Sequence, residues 1–262
     1  MWMHDHTSFQ VAQLPALQDN YIYLILPRHS TSCLVVDPAE TVPVIDACQQ
    51  LERQPDYILN THHHWDHTGA NLELKRMFGC KIIGSAEDKE RIPGLDLTVC
   101  EQPSTSLGGL RVRVIETPGH TRGHIVYLIE DALFCGDTLF GAGCGRLFEG
   151  TAEQMWSSLK RLARLPEPTR VYCAHEYTLA NLAFASRVDA DNPALSMRLK
   201  QARACREKAS PTIPSTIGLE LQTNPFLRVL NDDFRRHYAM RHGIEQDEIS
   251  VFAHLRRKKD RL

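Results

Sequence analysis

The stretch Tyr57-Ile58-Leu59-Asn60-Thr61-His62-His63-His64-Trp65-Asp66-His67 carries a short apolar strand straight into four metal-ligand candidates: His62, His64, Asp66 and His67. Imidazole and carboxylate bind zinc and similar ions at roughly 2.0–2.2 Å. A buried strand ending at Leu59 delivers them to the rim of a sheet, where backbone turns aim side chains together. In extended chain His62 and His64 point to one side and His63 to the other. His62 and His64 are therefore expected to share one ion, and His63 to ligate none. Asp66 and His67, beyond a turn, are expected to address a second ion.

Three later strand ends repeat the pattern. Thr117-Pro118-Gly119-His120 follows a strand read at 111–115, Gly136-Asp137-Thr138 one at 132–135, and Ala174-His175-Glu176 one at 170–173. Each presents a ligand-type residue beside Gly, Pro or Ala, which let a backbone approach an ion closely. Four such loops argue for one site rather than a loose histidine tract.

Working outward, residues 21–26 and 33–36 read as early strands closed by polar or Pro punctuation, and 81–83 and 125–129 as later ones. Residues 44–54 fit a helix, with Ile45, Cys48 and Leu51 at helical spacing. Thr151-x-x-Gln154 is a capping box opening a helix with Met155, Leu159 and Leu162 on one face. Residues 177–188 and 193–208 read as two further helices, the second with Asn192 as cap and Pro193 in its first turn. Residues 210–225 are rich in Pro and Thr and read as loop. The fold class is α/β to about residue 175, with a smaller helical domain after it.

The chain has 262 residues, formal net charge -2, 42% hydrophobic and 24% charged residues, ordinary for a soluble protein. That balance gives no global field for nucleic acid or an anionic membrane. The beginning has neither a basic start nor a long apolar run, so no secretory leader or membrane span is expected. The eight cysteines include no C-x-x-C pair and are expected to be reduced core residues in the cytoplasm. Neither nucleic acid nor a second subunit is called for, and a monomer is expected.

Taken together, T-H-x-H-x-D-H at 61–67, T-P-G-H at 117–120, Gly136-Asp137 and a final His175 resemble the metallo-β-lactamase superfamily. Within it the chain resembles the glyoxalase II (hydroxyacylglutathione hydrolase) family over essentially its whole length. Gln18-Asp19-Asn20-Tyr21, Gly143-Cys144-Gly145-Arg146, Phe148-Glu149-Gly150-Thr151, His175-Glu176-Tyr177-Thr178, Thr223-Asn224-Pro225-Phe226-Leu227-Arg228 and the basic end carry this likeness. It implies an αββα sandwich, the catalytic domain, at 1–175 and an all-helical substrate-binding domain at 176–262. It implies two divalent ions, zinc foremost, with iron or manganese also suited to a His/Asp shell. His62, His64 and His120 would hold the first ion, Asp66, His67 and His175 the second, and Asp137 would bridge.

The implied reaction is hydrolysis of S-D-lactoylglutathione to D-lactate and glutathione, the detoxification of methylglyoxal, with Asp66 also serving the attacking water. Arg146, Phe148, Tyr177, Arg256 and Lys259 match the family's glutathione-binding positions. Arg146 stands where the family often has Lys, and Phe148 where it often has a hydrogen-bonding Tyr. Rival readings are a one-iron glutathione-persulfide dioxygenase, a β-lactamase and a nucleic-acid processing metallohydrolase. They are disfavoured in turn by the complete second ligand set, by Asp137 in place of Cys, and by the net charge. His4, His6, His29, His237, His242 and His254 are expected at the surface, His124 as a buried hydrogen-bonding residue, and Trp65 packed beside the site.

Overall fold

The computed structural model describes the backbone of all 262 residues and the side chains of all but Gln102 and Pro103. It divides into two compact units, Met1–Glu116 with Gly123–Gly136, and Thr117–Arg122 with Asp137–Leu262.

The first unit orders its elements as β1 (Trp2–Asp5), β2 (Phe9–Ala16), β3 (Asn20–Pro27), β4 (Leu34–Val36), α1 (Thr41–Leu51), β5 (Tyr57–Leu59), α2 (Trp65–Thr68), α3 (Asn71–Phe78), β6 (Lys81–Ser85), β7 (Leu97–Val99), β8 (Gln102–Leu107), β9 (Leu110–Glu116), β10 (Ile125–Ile129) and β11 (Ala132–Gly136). Strands β1 to β7 make one sheet in chain order, antiparallel through β4 and parallel from β4 to β7. Strands β8 to β11 make an antiparallel meander.

β3 shows why both its faces are apolar. Ile22, Leu24 and Leu26 enter a core with Val44, Ala47 and Cys48 of α1 and Leu74 of α3. On the opposite face, Tyr23 meets Phe134 of β11 edge-on at 5.6 Å. A strand covered on both sides reads as a continuous hydrophobic run, as residues 21–26 do. Tyr127 of β10 donates to the Asn60 carbonyl at 2.9 Å, tying the meander to the loop after β5.

Helix α1 begins three residues before the expected 44 and ends three before 54. Pro43 is tolerated in a first turn, where its missing N–H is not needed, and Glu52 closes the helix in a left-handed conformation. His6 is buried rather than at the surface, stacked on Phe9 at 4.4 Å with Nδ1 2.6 Å from Asp131.

The second unit holds the hairpin β12 (Leu139–Phe140) and β13 (Gly143–Cys144), α4 (Ala152–Leu162), β14 (Arg170–Cys173), α5 (Thr178–Val188), α6 (Pro193–Glu207), β15 (Ser215–Thr216), α7 (Ile217–Thr223), α8 (Asp232–His242) and α9 (Glu248–Asp260). The Thr151 capping box forms as expected, and the Asn192 side chain accepts from Ala194 N. Residues 210–225 are not all loop. Thr216 caps α7 through Leu219 N, and β15 pairs with β14. The helix is too short, between Pro214 and Pro225, to show a period of its own. Its neighbour Phe226 is fully buried between Phe184 and Phe252, at 6.0 and 5.8 Å. Burying that ring stabilises the helical core by about 1.5–3 kcal/mol. Among the described residues no helix is long and apolar enough to cross a membrane.

Candidate metal centre and substrate site

On the first unit, β5 ends at Leu59 and the chain turns through Thr61 into the one-turn helix α2. His67 N and Thr68 Oγ1 both donate to the His64 carbonyl, at 3.0 and 3.1 Å, which fixes that turn. His62 Nε2 lies 2.9 Å from His64 Nδ1, and His67 Nε2 lies 3.4 Å from Asp66 Oδ2. Two ligands of a tetrahedral ion with bonds of about 2.1 Å stand about 3.4 Å apart. The second pair matches such an edge, and the first stands at hydrogen-bond distance.

The nitrogens pointing away from these pairs are held. Asp37, only 3% exposed, accepts from Thr61 N at 2.8 Å, Thr61 Oγ1 at 2.7 Å and His67 Nδ1 at 3.0 Å. Because Thr61 Oγ1 donates to Asp37, it accepts from His62 Nδ1 at 3.0 Å. Both rings therefore carry their proton on Nδ1 and present the Nε2 lone pair, the state a metal-binding imidazole needs. Asn20 Nδ2 donates to Asp66 Oδ2 at 3.1 Å and fixes that carboxylate. His63 turns away to Asp88 at 3.3 Å and Arg91 at 3.4 Å. His124 is 1% exposed and stacks on His62 at 4.9 Å. Trp65 is 70% exposed and does not pack beside the cluster.

On the second unit, Asp137 follows directly from β11. Gly136 takes φ +47, and a side chain there would collide with Thr61. Asp137 Oδ2 lies 3.3 Å from His120 Nε2, and its Oδ1 lies 3.4 Å from His175 Nε2. One carboxylate thus faces two histidines, one through each oxygen. His120 Nδ1 donates to the Arg146 carbonyl at 2.9 Å, which makes Nε2 the candidate ligand atom. Phe148 N and Glu149 N donate to the His120 carbonyl at 3.2 and 3.3 Å, so the 146–149 segment cradles this histidine.

The expected glutathione-binding residues all lie on the second unit. Tyr177 stacks flat on His175, with ring centroids at 4.7 Å, and Phe148 meets His120 edge-on at 5.2 Å. Arg146 and Phe148 are exposed. Arg256 is only 4% exposed: Nη1 donates to the Cys144 carbonyl at 2.9 Å, Nη2 meets Asp260 at 2.8 Å, and the guanidinium lies 5.0 Å above Phe226. Lys259, one turn on, reaches the Ala180 carbonyl at 3.4 Å and covers Phe184 at 5.5 Å. Partial burial pushes the Lys259 ammonium below the usual lysine range, and the nearby charges of Arg256, Arg146 and Arg187 push it further.

Residue-level reading of the sequence missed Asp37, Asp88 and the bracing role of Asn224. Asn224 Nδ2 donates to the Gly143 carbonyl at 2.9 Å and the Phe140 carbonyl at 3.3 Å, supporting the β12–β13 hairpin. Asp37 had a usable signal, since it follows β4 as Asp137 follows β11.

Residues 17–175 match the model of the metallo-beta-lactamase superfamily, and the sheets, helices and His/Asp groups are those of a protein of that class. A structure similar to this chain is ETHE1 from Myxococcus xanthus, 24% identical with TM-score 0.68, covering 94% of this chain and 89% of that one. Another is the di-iron-bound form of TTHA1623, 25% identical with TM-score 0.58, covering 83% and 99%. Residues 176–262 match the hydroxyacylglutathione hydrolase C-terminus. A hydroxyacylglutathione hydrolase from Rhodospirillum rubrum is 48% identical over 256 residues, 97% of this chain and 99% of that protein. The chain belongs to the hydroxyacylglutathione hydrolase (glyoxalase II) family: a metallo-β-lactamase domain followed by a helical C-terminal domain, with a divalent metal site of histidine and aspartate.

Proposed function

We propose that the chain hydrolyses S-D-lactoylglutathione to D-lactate and glutathione, removing the product of methylglyoxal conjugation. His62, His64, His120, Asp66, His67, His175 and Asp137 would hold two divalent ions there, zinc foremost. The observation that carries the two-ion reading is Asp137, whose separate oxygens stand 3.3 and 3.4 Å from His120 and His175. The donor set fits such ions: imidazole nitrogens and carboxylate oxygens, with outer nitrogens already committed to Asp37, Thr61 and the Arg146 carbonyl. When bound, two such ions supply Lewis acidity toward a carbonyl and lower the pKa of water.

The chain's own residues do the rest. Asp66, held by Asn20, orients the attacking water and accepts its proton. Arg146, Tyr177 and Lys259 position the glutathione part, while Arg256 adds charge and braces the Cys144 carbonyl, two residues before Arg146. Phe148 supplies an apolar wall in place of a hydroxyl. The leaving thiolate, with a conjugate-acid pKa near ~8.5, departs without a general acid. The eight cysteines are free thiols, which supports a reducing cytoplasm. The reading takes the protein as a monomer acting on a small molecule, with no nucleic-acid partner.

The test is thiol release from S-D-lactoylglutathione by metal-replete protein, beside a lactoyl thioester lacking the glutathione carboxylates. Fast release from the first and slow release from the second is expected. No release from the first, with both metals present by elemental analysis, overturns the assignment.

A further inference from the structure

The second unit carries a positive charge, Arg187, beside its candidate glutathione residues that the family likeness did not single out. Lys259 Nζ sits on α5 at the Ala180 carbonyl and over Phe184. Arg187 lies three residues beyond Phe184 and seven beyond Ala180, the spacing that places residues on one helix face. It is exposed, and among the described residues it has no ion-pair partner. The carboxylate nearest in sequence, Asp189, is taken by Arg228 at 3.0 Å and by Asn192 at 2.8 Å. Lys259 and Arg146 likewise have no carboxylate partner among the described residues, whereas Arg256 is paired with Asp260. Of these four cations only Arg256 is ion-paired among the described residues, with Asp260. The lowering of the Lys259 ammonium by Arg256, Arg146 and Arg187 reports their crowding.

The arrangement has a length as well as a charge. Helix α5 starts beside Tyr177, which lies flat on the metal-ligand candidate His175. At a rise of about 1.5 Å per residue, Arg187 is about 10 Å further along α5 than Ala180. An extended tripeptide spans about 10 Å. A glutathione thioester presents two carboxylates at opposite ends of such a span.

We propose that Arg187 is a further substrate-recognition residue, holding the glutathione carboxylate more distant from His175 while Lys259 holds the nearer one. This rests on the thioester-hydrolase reading and adds to it a residue that the sequence analysis did not single out. Arg187 touches the substrate at its far end and takes no part in bond breaking. Its effect therefore falls on binding and leaves the chemical step alone.

The experiment compares wild type with Arg187→Glu, Arg187→Ala and Arg187→Lys. It reads the Kd of S-methylglutathione by calorimetry, and KM and kcat for S-D-lactoylglutathione and for the thioester lacking the carboxylates. The expected result for Arg187→Glu is a Kd and KM each raised about tenfold with kcat within twofold, and no change for the truncated thioester. Arg187→Lys is expected to recover most of the binding. Kd and KM within twofold of wild type in Arg187→Glu overturn the proposal, as does an equal effect on both thioesters or a lowered melting temperature alone. Wild-type protein that binds S-methylglutathione through Arg187 yet releases no thiol sinks the hydrolase reading and leaves Arg187 standing. Thiol release by the wild type with Kd and KM unchanged in every Arg187 variant does the reverse.

Discussion

Glu220 is fully buried and accepts from Arg198, Ser215, Ala142 N at 2.8 Å and Asn224 Nδ2 at 3.0 Å. Arg198 is 4% exposed, and besides Glu220 its partners among the described residues are the hydroxyls of Thr223 and Ser215. Glu220→Gln keeps the shape, removes the charge and leaves the guanidinium buried without a counter-ion. Its amide also turns a donor toward groups that are all donors. Breaking one side of a buried pair costs about 3–5 kcal/mol, matching a Coulomb attraction of about 4 kcal/mol at an effective dielectric near 20. For a chain of this length that lowers the melting temperature by about 10 °C. Arg198→Met is expected to cost less, because Glu220 retains the donors from Ala142, Asn224 and Ser215. The double variant is expected to cost less than the two singles summed. Urea unfolding followed by circular dichroism gives each free energy. A Glu220→Gln cost below about 1 kcal/mol, or a larger cost for Arg198→Met, refutes this account of the pair.

Two further outcomes follow from the site. Gly119 has φ +152, and a Cβ there would lie 2.7 Å from Met155 Cβ and 2.8 Å from its Cα. Gly119→Ala is expected to displace His120, lowering bound metal per chain and reducing kcat by roughly 10²-fold; full metal content with wild-type kcat contradicts it. Lys259, pushed down first by burial and then by neighbouring cations, is charged below its pKa and neutral above it. KM for S-D-lactoylglutathione is therefore expected to rise as pH climbs, sooner than an ordinary lysine would allow. Lys259→Ala should show a high KM without that rise, and identical pH profiles remove Lys259 from the binding step.

Local rules reach a long way into this chain. The strand before Thr61, the cap at Thr151, the Asn192-Pro193 helix start and the ligand types at four strand ends all follow from residues within one or two turns of each other. Side-chain alternation alone separates His63 from His62 and His64, and the structure turns His63 to Asp88 and Arg91. Distant partners are another matter, because periodicity records which residues are apolar and not what they meet. Asp37 reaches His67 across thirty residues, and His6 finds Asp131 across 125. Helix α7 forms between prolines because Glu220 and Asn224 bind the β12–β13 hairpin and Arg198. Trp65 stays in water since α2 is a single turn that buries His67 instead.

Sequence alone supplies the inventory of candidate ligands, the strand-end placement of each, and the likeness to the family. Tertiary contacts hold the outer nitrogens of His62, His67 and His120, turn the two oxygens of Asp137 toward different histidines, and set Arg256 to brace a loop while Arg187 has no ion-pair partner among the described residues. Those facts depend on hydrogen bonds and charges brought together from far apart in the chain, and no local pattern encodes them.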